Sequence, residues 1–288
     1  MKIKDLLQPD KLTISCEVFP PKDDTAYENV YSAVEEIAAL KPDFISVTYG
    51  AGGGTSKNTV KIASAIQNKM NVTALAHLTC VSSTPEEISQ HLVELKENGI
   101  ENVLALRGDL PKDGRELPGH YKYASQLIEQ IHRESDLCVG AACYPDGHVE
   151  CAHKEDDLDN LRRKVDCGVD FLTTQMFFDN NALYSFMYRA MRKGIYVPIL
   201  AGIMPVTNAR QVARSCELSG THLHPRFKAI VDRFGDNPAA MEQAGIAYAT
   251  DQIIDLVANG VNWIHLYTMN KPHIAAKILG NLSEIWVR

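Results

Sequence analysis

The chain has 288 residues, 45% hydrophobic and 23% charged, and a formal net charge of −7 from 29 basic and 36 acidic residues. This length and ordinary globular composition allow a sizeable core without metal or disulfide staples and exclude a disordered or collagen-like chain. The acidic balance argues against nucleic acid as the main partner, and no apolar run reaches the roughly 18 residues of a membrane span.

The opening residues MKIKDLLQPDKL carry no secretory h-region. The seven cysteines are odd in number and scattered, with no CxxC pair. Reduced thiols in a cytoplasmic protein without a membrane partner are therefore expected.

In chain order, apolar, β-rich runs occupy 12–19, 44–50, 72–80, 102–108, 137–145, 170–178, 197–205 and 263–270. They read as strands buried on both faces. Helical patterns lie between them at 26–40, 59–68, 84–97, 123–131, 157–167 and 181–193, with a last one from 272 to 279. The clearest start is Thr84-Pro85-Glu86-Glu87: an N-cap, a proline at N1 and an acidic first turn.

Eight strands alternating with helices predict parallel βαβ units. An open doubly wound sheet usually shows a glycine-rich fingerprint after its first strand. Here that strand ends in Phe19-Pro20-Pro21-Lys22 with no GxGxxG. The expected fold is therefore an α/β chain forming a single (β/α)8 TIM barrel over 1–288. Extra helices, around 225–234 and 238–258, fall between strands 7 and 8.

In such a barrel the reactive groups stand at the C-terminal strand ends. Those ends read Glu17, Thr48 and Tyr49, His77, Arg107 and Asp109, Tyr144, Gln175, Met204 and Tyr267. Glu17, flanked by apolar residues, suits a proton-holding general acid, and Asp109 an ionised partner that stabilises positive charge. The same two carboxylates would also suit a glycosidase or an aldolase. Gly108 permits close approach of backbone to a ligand. Gln175 offers donor and acceptor together, as a heterocycle edge requires.

Three further patterns are weaker. The loop GAGGGT (50–55) resembles a phosphate cradle but lacks the Lys-Ser/Thr ending, and a βα loop is the plainer reading. On a helix, Asp157, Asn160, Arg163 and Lys164 can share a face and hold a phosphate; from this helix alone a solvated charged face is the favoured reading. Cys143, His148, Cys151 and His153 invite a zinc reading, but their spacing matches no common site, and no metal is expected.

ISCEVFPPK, VTYGAGGGT, AHLTC, LALRGDLP, YPDGH, DLDNLRRKVDCGVDFLTTQMFFD, GIMPV and HLYTMNK, in that order, resemble the methylenetetrahydrofolate reductase family. The resemblance runs from about residue 14 to 271. It implies a (β/α)8 flavoprotein that binds FAD and reduces 5,10-methylenetetrahydrofolate to 5-methyltetrahydrofolate. It covers the catalytic barrel alone, so control through a C-terminal regulatory domain is not expected.

By that resemblance Glu17 is the general acid and Asp109 the carboxylate beside flavin and folate. Gln175 contacts folate, with Tyr267 and Lys271 on the folate or nicotinamide side; Lys271 stands where close relatives carry arginine. Thr48, His77, Arg107, Gly108, Asp109, Tyr123, Tyr144, His148, Asp157, Asn160, Arg163 and Lys164 fall at the FAD positions.

The implied scheme is ping-pong. Its electron donor is NADH, NADPH or a protein. Ser215 stands where NADH-using bacterial enzymes carry an aromatic, which leaves direct NADH use open. Some relatives in anaerobes work with a cysteine-rich second subunit. Self-association is a further partner class. The alternatives are a flavin subunit reduced by a protein donor and a flavin-free barrel lyase or aldolase.

Overall fold

The computed structural model describes residues 1–21, 24–49, 56–110 and 116–287. Its eight strands are β1 (Thr13–Val18), β2 (Phe44–Val47), β3 (Thr73–Thr79), β4 (Asn102–Leu106), β5 (Cys138–Cys143), β6 (Phe171–Thr174), β7 (Ile199–Ile203) and β8 (Trp263–Tyr267). Each is parallel to the next, and β8 pairs back onto β1, closing the barrel in chain order. The expected (β/α)8 fold is present.

The helices are α1 (Ile3–Leu6), α2 (Tyr27–Ala39), α3 (Ser56–Asn68), α4 (Pro85–Glu97), α5 (Ala124–Glu134), α6 (Lys154–Asp166), α7 (Asn180–Arg192), α8 (Ala209–Ser219), α9 (Pro225–Phe234), α10 (Pro238–Ala258) and α11 (Pro272–Asn281). α4 starts as its sequence dictates. The Thr84 side chain accepts from the Glu87 N–H, and the Glu87 carboxylate accepts from the Thr84 N–H at 2.8 Å. The loop 50–55 lies outside the described residues.

The period of two along each strand sorts side chains into two environments. Ile14, Cys16 and Val18 of β1 join Ile45, Val47, Leu172 and Ile264 in the large apolar layer that also takes in the helices. The alternate positions point into the barrel. Its lower interior is a second apolar cluster of Phe44, Leu75, Leu104, Cys138, Phe171 and Leu200. Above it the interior turns polar, with Ser15, Ser46, His77 and His265 all buried.

α1 was not legible in the sequence, because four residues are too short to show a period. It inserts Ile3 and, just beyond it, Leu7 against the lower apolar cluster. The Ile3 N–H donates to Asn102 Oδ1 at 2.7 Å, and Lys4 Nζ pairs with Asp170 at 3.0 Å.

α9 and α10 have the expected bounds and a definite task. Phe227 of α9 stacks on Phe178 at 4.9 Å, and Tyr248 of α10 donates to the Phe178 carbonyl at 2.6 Å. Gln252 donates to the Phe177 carbonyl at 3.2 Å. The added helices thus brace the segment that leaves β6, where Gln175 sits.

Candidate active site

Glu17 faces into the upper barrel, its side chain only 19% exposed. Its backbone is pinned from β8. Thr268 Oγ1 donates to the Glu17 carbonyl at 2.6 Å, and Asn270 clasps Phe19, accepting from its N–H at 3.0 Å and donating to its carbonyl at 2.9 Å. To do this, Met269 and Asn270 both adopt left-handed conformations, with φ of 53° and 52°. Asparagine tolerates that region; methionine does so at a cost, which the clasp offsets.

Two imidazoles flank the carboxylate. His77 Nε2 and His265 Nε2 each lie 3.5 Å from Glu17 Oε2. Burial pushes His77 down to about 4, against a smaller opposing pull from Glu17, so it is neutral near pH 7. Its Nε2 is buried with no hydrogen-bond partner among the described residues.

Tyr267 completes this side. Its hydroxyl donates to the Thr174 carbonyl at 2.6 Å, crossing β7 above Gly202. A Cβ on Gly202 would come within 2.8 Å of that ring and 2.4 Å of the Thr174 carbonyl oxygen, so only glycine fits. Burial raises the Tyr267 phenol well above its ordinary value.

A second group of polar residues gathers at the ends of β4 and β5. Arg107 forms a two-pronged ion pair with Glu150, 2.6 Å at each prong. The pair holds the guanidinium above, and the Glu150 carboxyl below, their ordinary values. Asp109 is exposed and lies within electrostatic reach of Arg107 and Tyr144. Gly108 between Arg107 and Asp109 has φ +88°, the left-handed turn expected of a glycine there. Tyr144 packs edge-on against His148 at 4.7 Å, and burial pushes its phenol up to about 12.

α6 splits its four polar residues. Asn160 and Arg163 are exposed and bonded to each other at 3.2 Å. Asp157 accepts from the His148 N–H at 3.3 Å, and Lys164 Nζ turns under to the Ala142 carbonyl at 2.5 Å. Burial raises Asp157 and lowers Lys164, each against the pull of the other. The single shared face expected from the sequence is therefore two: an inner pair and an outer pair.

The remaining expected positions scatter around the mouth. Thr48 accepts from Thr59 Oγ1 at 3.0 Å through its carbonyl. Tyr123 is 65% exposed at the start of α5. Gln175 turns its amide oxygen onto the Met176 N–H at 2.9 Å, so its NH2 edge is the one turned away. Lys271 Nζ donates to Thr207 Oγ1 at 3.0 Å, and a cleft beside it is lined by Met204, Val212, Ser215 and Thr268. Among the described residues that line this cleft there is no aromatic ring.

No group of three or more His, Cys, Asp or Glu among the described residues is placed to hold a metal ion. No helix among them is long and apolar enough to cross a membrane.

Sequence reasoning missed His265, Ser15, Glu150 and the Thr268–Asn270 clasp. His265 had a signal: in the run WIHLY it stands two residues before Tyr267, so both point to one face of the strand. Glu150 had none, because a loop acid pairs with a distant arginine only in three dimensions.

Known proteins share this architecture. A structure titled as an uncharacterized protein from Clostridium thermocellum that binds two copies of 5-methyl-5,6,7,8-tetrahydrofolic acid superposes with a TM-score of 0.68. It is 14% identical and covers 99% of both chains, a likeness of fold alone. By sequence, the 5,10-methylenetetrahydrofolate reductase of Escherichia coli K12 is 33% identical over 276 residues, 95% of this chain and 91% of that one. Methylenetetrahydrofolate reductase (NADH) 1 of Zea mays is 34% identical over 299 residues, 99% of this chain and 50% of that one. The chain thus spans about half the length of the plant relative. The family model described as methylenetetrahydrofolate reductase matches residues 2–283. With a match across nearly its whole length, the chain belongs to the methylenetetrahydrofolate reductase family.

Proposed function

We propose that this barrel reduces 5,10-methylenetetrahydrofolate to 5-methyltetrahydrofolate with FAD as the redox cofactor. One observation carries the reading beyond family membership. Glu17 is held nearly buried at the barrel mouth, its backbone clasped from β8 and its carboxylate between two imidazoles. A confined, oriented carboxyl at a strand end is the placement a general acid needs.

The residues at the mouth fit a flavin dinucleotide. His77 offers an unpartnered buried nitrogen, Tyr144 a protonated phenol, and Arg107, Arg163 and Lys164 positive charge for phosphate. When bound, flavin supplies the hydride chemistry. Thr48, Gly108, Tyr123, His148, Asp157 and Asn160 complete the set we assign to it.

Glu17 protonates a ring nitrogen of the folate: its O–H bond breaks, an N–H bond forms, and the carbon–nitrogen bond opens to a cationic iminium. Asp109, exposed on the opposite group of strand ends, stabilises that cation. Gln175 presents its NH2 edge to the pterin, and Tyr267 and Lys271 line the same side.

The name of the maize relative specifies NADH. A second reading, in which a protein donor of electrons replaces the nicotinamide, is favoured by the cleft beside Lys271. Ser215 lines it, and among the described residues that line it there is no ring to stack on a nicotinamide. An anaerobic titration of the flavin-loaded protein with NADH, followed at the visible flavin band, tests both. Bleaching followed by folate-dependent return of colour is expected for direct NADH use. A flavin that only a protein reductant bleaches assigns the second reading. A chain with no affinity for FAD refutes both.

A further inference from the structure

Beyond β6 the chain leaves the sheet but stays buried. The last pairings of β6 are Thr173 with Leu200 and Thr174 with Cys143, and the Gln175 N–H still donates to the Cys143 carbonyl at 2.8 Å. Met176, Phe177 and Phe178 follow, each 4% exposed or less. Backbone carbonyls buried in such a stretch cost free energy unless a donor reaches them.

Three side chains supply the donors, one to each carbonyl in turn. Thr221 Oγ1 donates to Met176 at 2.9 Å, Gln252 Nε2 to Phe177 at 3.2 Å and the Tyr248 hydroxyl to Phe178 at 2.6 Å. A carbonyl only accepts, so the direction of each bond is fixed. The Gln252 amide is fixed a second time. Its Nε2 also meets Asn180 Oδ1 at 3.3 Å, and Asn180 gives its own NH2 to the Gln252 carbonyl at 3.1 Å and to Asp255 at 2.6 Å. All three donors are buried, and all come from the insertion between β7 and β8. The Phe227 ring packs between Phe178 and Tyr248, at 4.9 and 4.5 Å, and locks the same stretch through its side chains.

The consequence falls on Gln175. Its amide oxygen accepts from the N–H of Met176, the first residue of the braced run, and Thr221 holds the carbonyl of that same residue. We propose that Thr221, Gln252 and Tyr248 are positioning residues that fix the Gln175 amide in its ligand-reading orientation before folate arrives. The effect on folate rests on the proposed role of Gln175; the ordering of the segment does not. An amide already oriented loses little freedom when it binds, so the brace is read out as affinity for the pterin.

Thr221→Val and Tyr248→Phe each remove one hydroxyl and little volume, and either carries the test if the other does not fold. The FAD-loaded protein, reduced beforehand with dithionite, is mixed with 5,10-methylenetetrahydrofolate and flavin reoxidation is followed. This gives the folate dissociation constant without involving the electron donor. The constant is expected to rise about three- to tenfold in each variant, the worth of roughly one hydrogen bond. Thr221→Ser, which keeps the hydroxyl, is expected to match the unsubstituted protein. In a Gln175→Ala background the same substitutions are expected to add nothing. An unchanged constant in both single variants, or their full effect on top of Gln175→Ala, overturns the proposal. Backbone hydrogen exchange over 175–178, in the FAD-loaded protein without folate, tests the ordering alone. Faster exchange is expected in both variants, and unchanged rates overturn the proposal whatever the kinetics. Reduced flavin that folate does not reoxidise in the unsubstituted protein refutes the proposed function instead, and the exchange rates then decide the ordering.

Discussion

Glu17 and Asp109 are both carboxylates at strand ends of one barrel, and they live in opposite surroundings. Glu17 is nearly buried, faces two imidazoles at 3.5 Å and has its backbone clasped by Thr268 and Asn270. Asp109 is exposed and sits near a guanidinium already engaged by Glu150. The same functional group is thus confined in one place and solvated in the other. On the proposed function, this contrast divides the two roles: the confined carboxyl would act as the oriented acid, the solvated one as the stabilising carboxylate.

The largest test of this contrast is Glu17→Gln. It is expected to lower folate turnover by roughly 10²–10⁴-fold, the span of general acid catalysis, while flavin reduction by the electron donor persists. Stopped-flow measurement of the two half-reactions checks it, and near-normal folate turnover would leave Glu17 without the acid role.

The confined side also has a pH signature in stability. An unfolded histidine titrates near 6.5, whereas His77 in the fold is pushed down to about 4. Between these values the unfolded chain binds the proton and the native chain does not. The contribution is therefore complete above pH 6.5 and is lost as pH falls toward 4, by about 3 kcal/mol. Urea denaturation at pH 7 and pH 4.5 checks it, with His77→Gln expected to narrow the difference.

Asp109→Asn is expected to be milder, slowing folate reduction roughly tenfold with an effect that shrinks at high salt, because an exposed charge is screened. It should also shift the flavin potential. A rate and a potential that both stay put would take Asp109 out of the chemistry.

The smallest change is Tyr267→Phe, which removes the hydrogen bond to the Thr174 carbonyl and costs about 1 kcal/mol of stability. A lowered Tm with folate affinity retained would assign the hydroxyl to the scaffold and the ring to the ligand.

The barrel itself could be read from the chain: eight apolar runs at regular intervals admit few other arrangements. The capping box at Thr84 gave one helix start to the residue, because local chemistry decides it. The ends of β5, β6 and β8 were read two to four residues too long, since the apolar pattern continues past the last ladder bond into Tyr144, Gln175 and Thr268. Glu17 stood out because a charge within an apolar run demands a reason. Its partners did not, because Ser15 and His265 meet across 250 residues and small polar residues in a strand look unremarkable. The division of α6 was also hidden, as helical spacing says which residues are neighbours and not how far a lysine stem reaches beneath them.

The short helix α1 has a consequence for the order of events in the ribosome's exit tunnel and beyond. Its docking partners, Asn102 and Asp170, are made about 100 and 166 residues after it. β1 waits longer still for β8. α1 is made before the partners it needs and stays undocked until Asp170 has been synthesised, and the ring closes only once β8 follows. Long-range closure of this kind slows folding. It also leaves Ile3 and Leu7, buried in the finished barrel, exposed on the nascent polypeptide, where chaperone cover protects such apolar segments during synthesis.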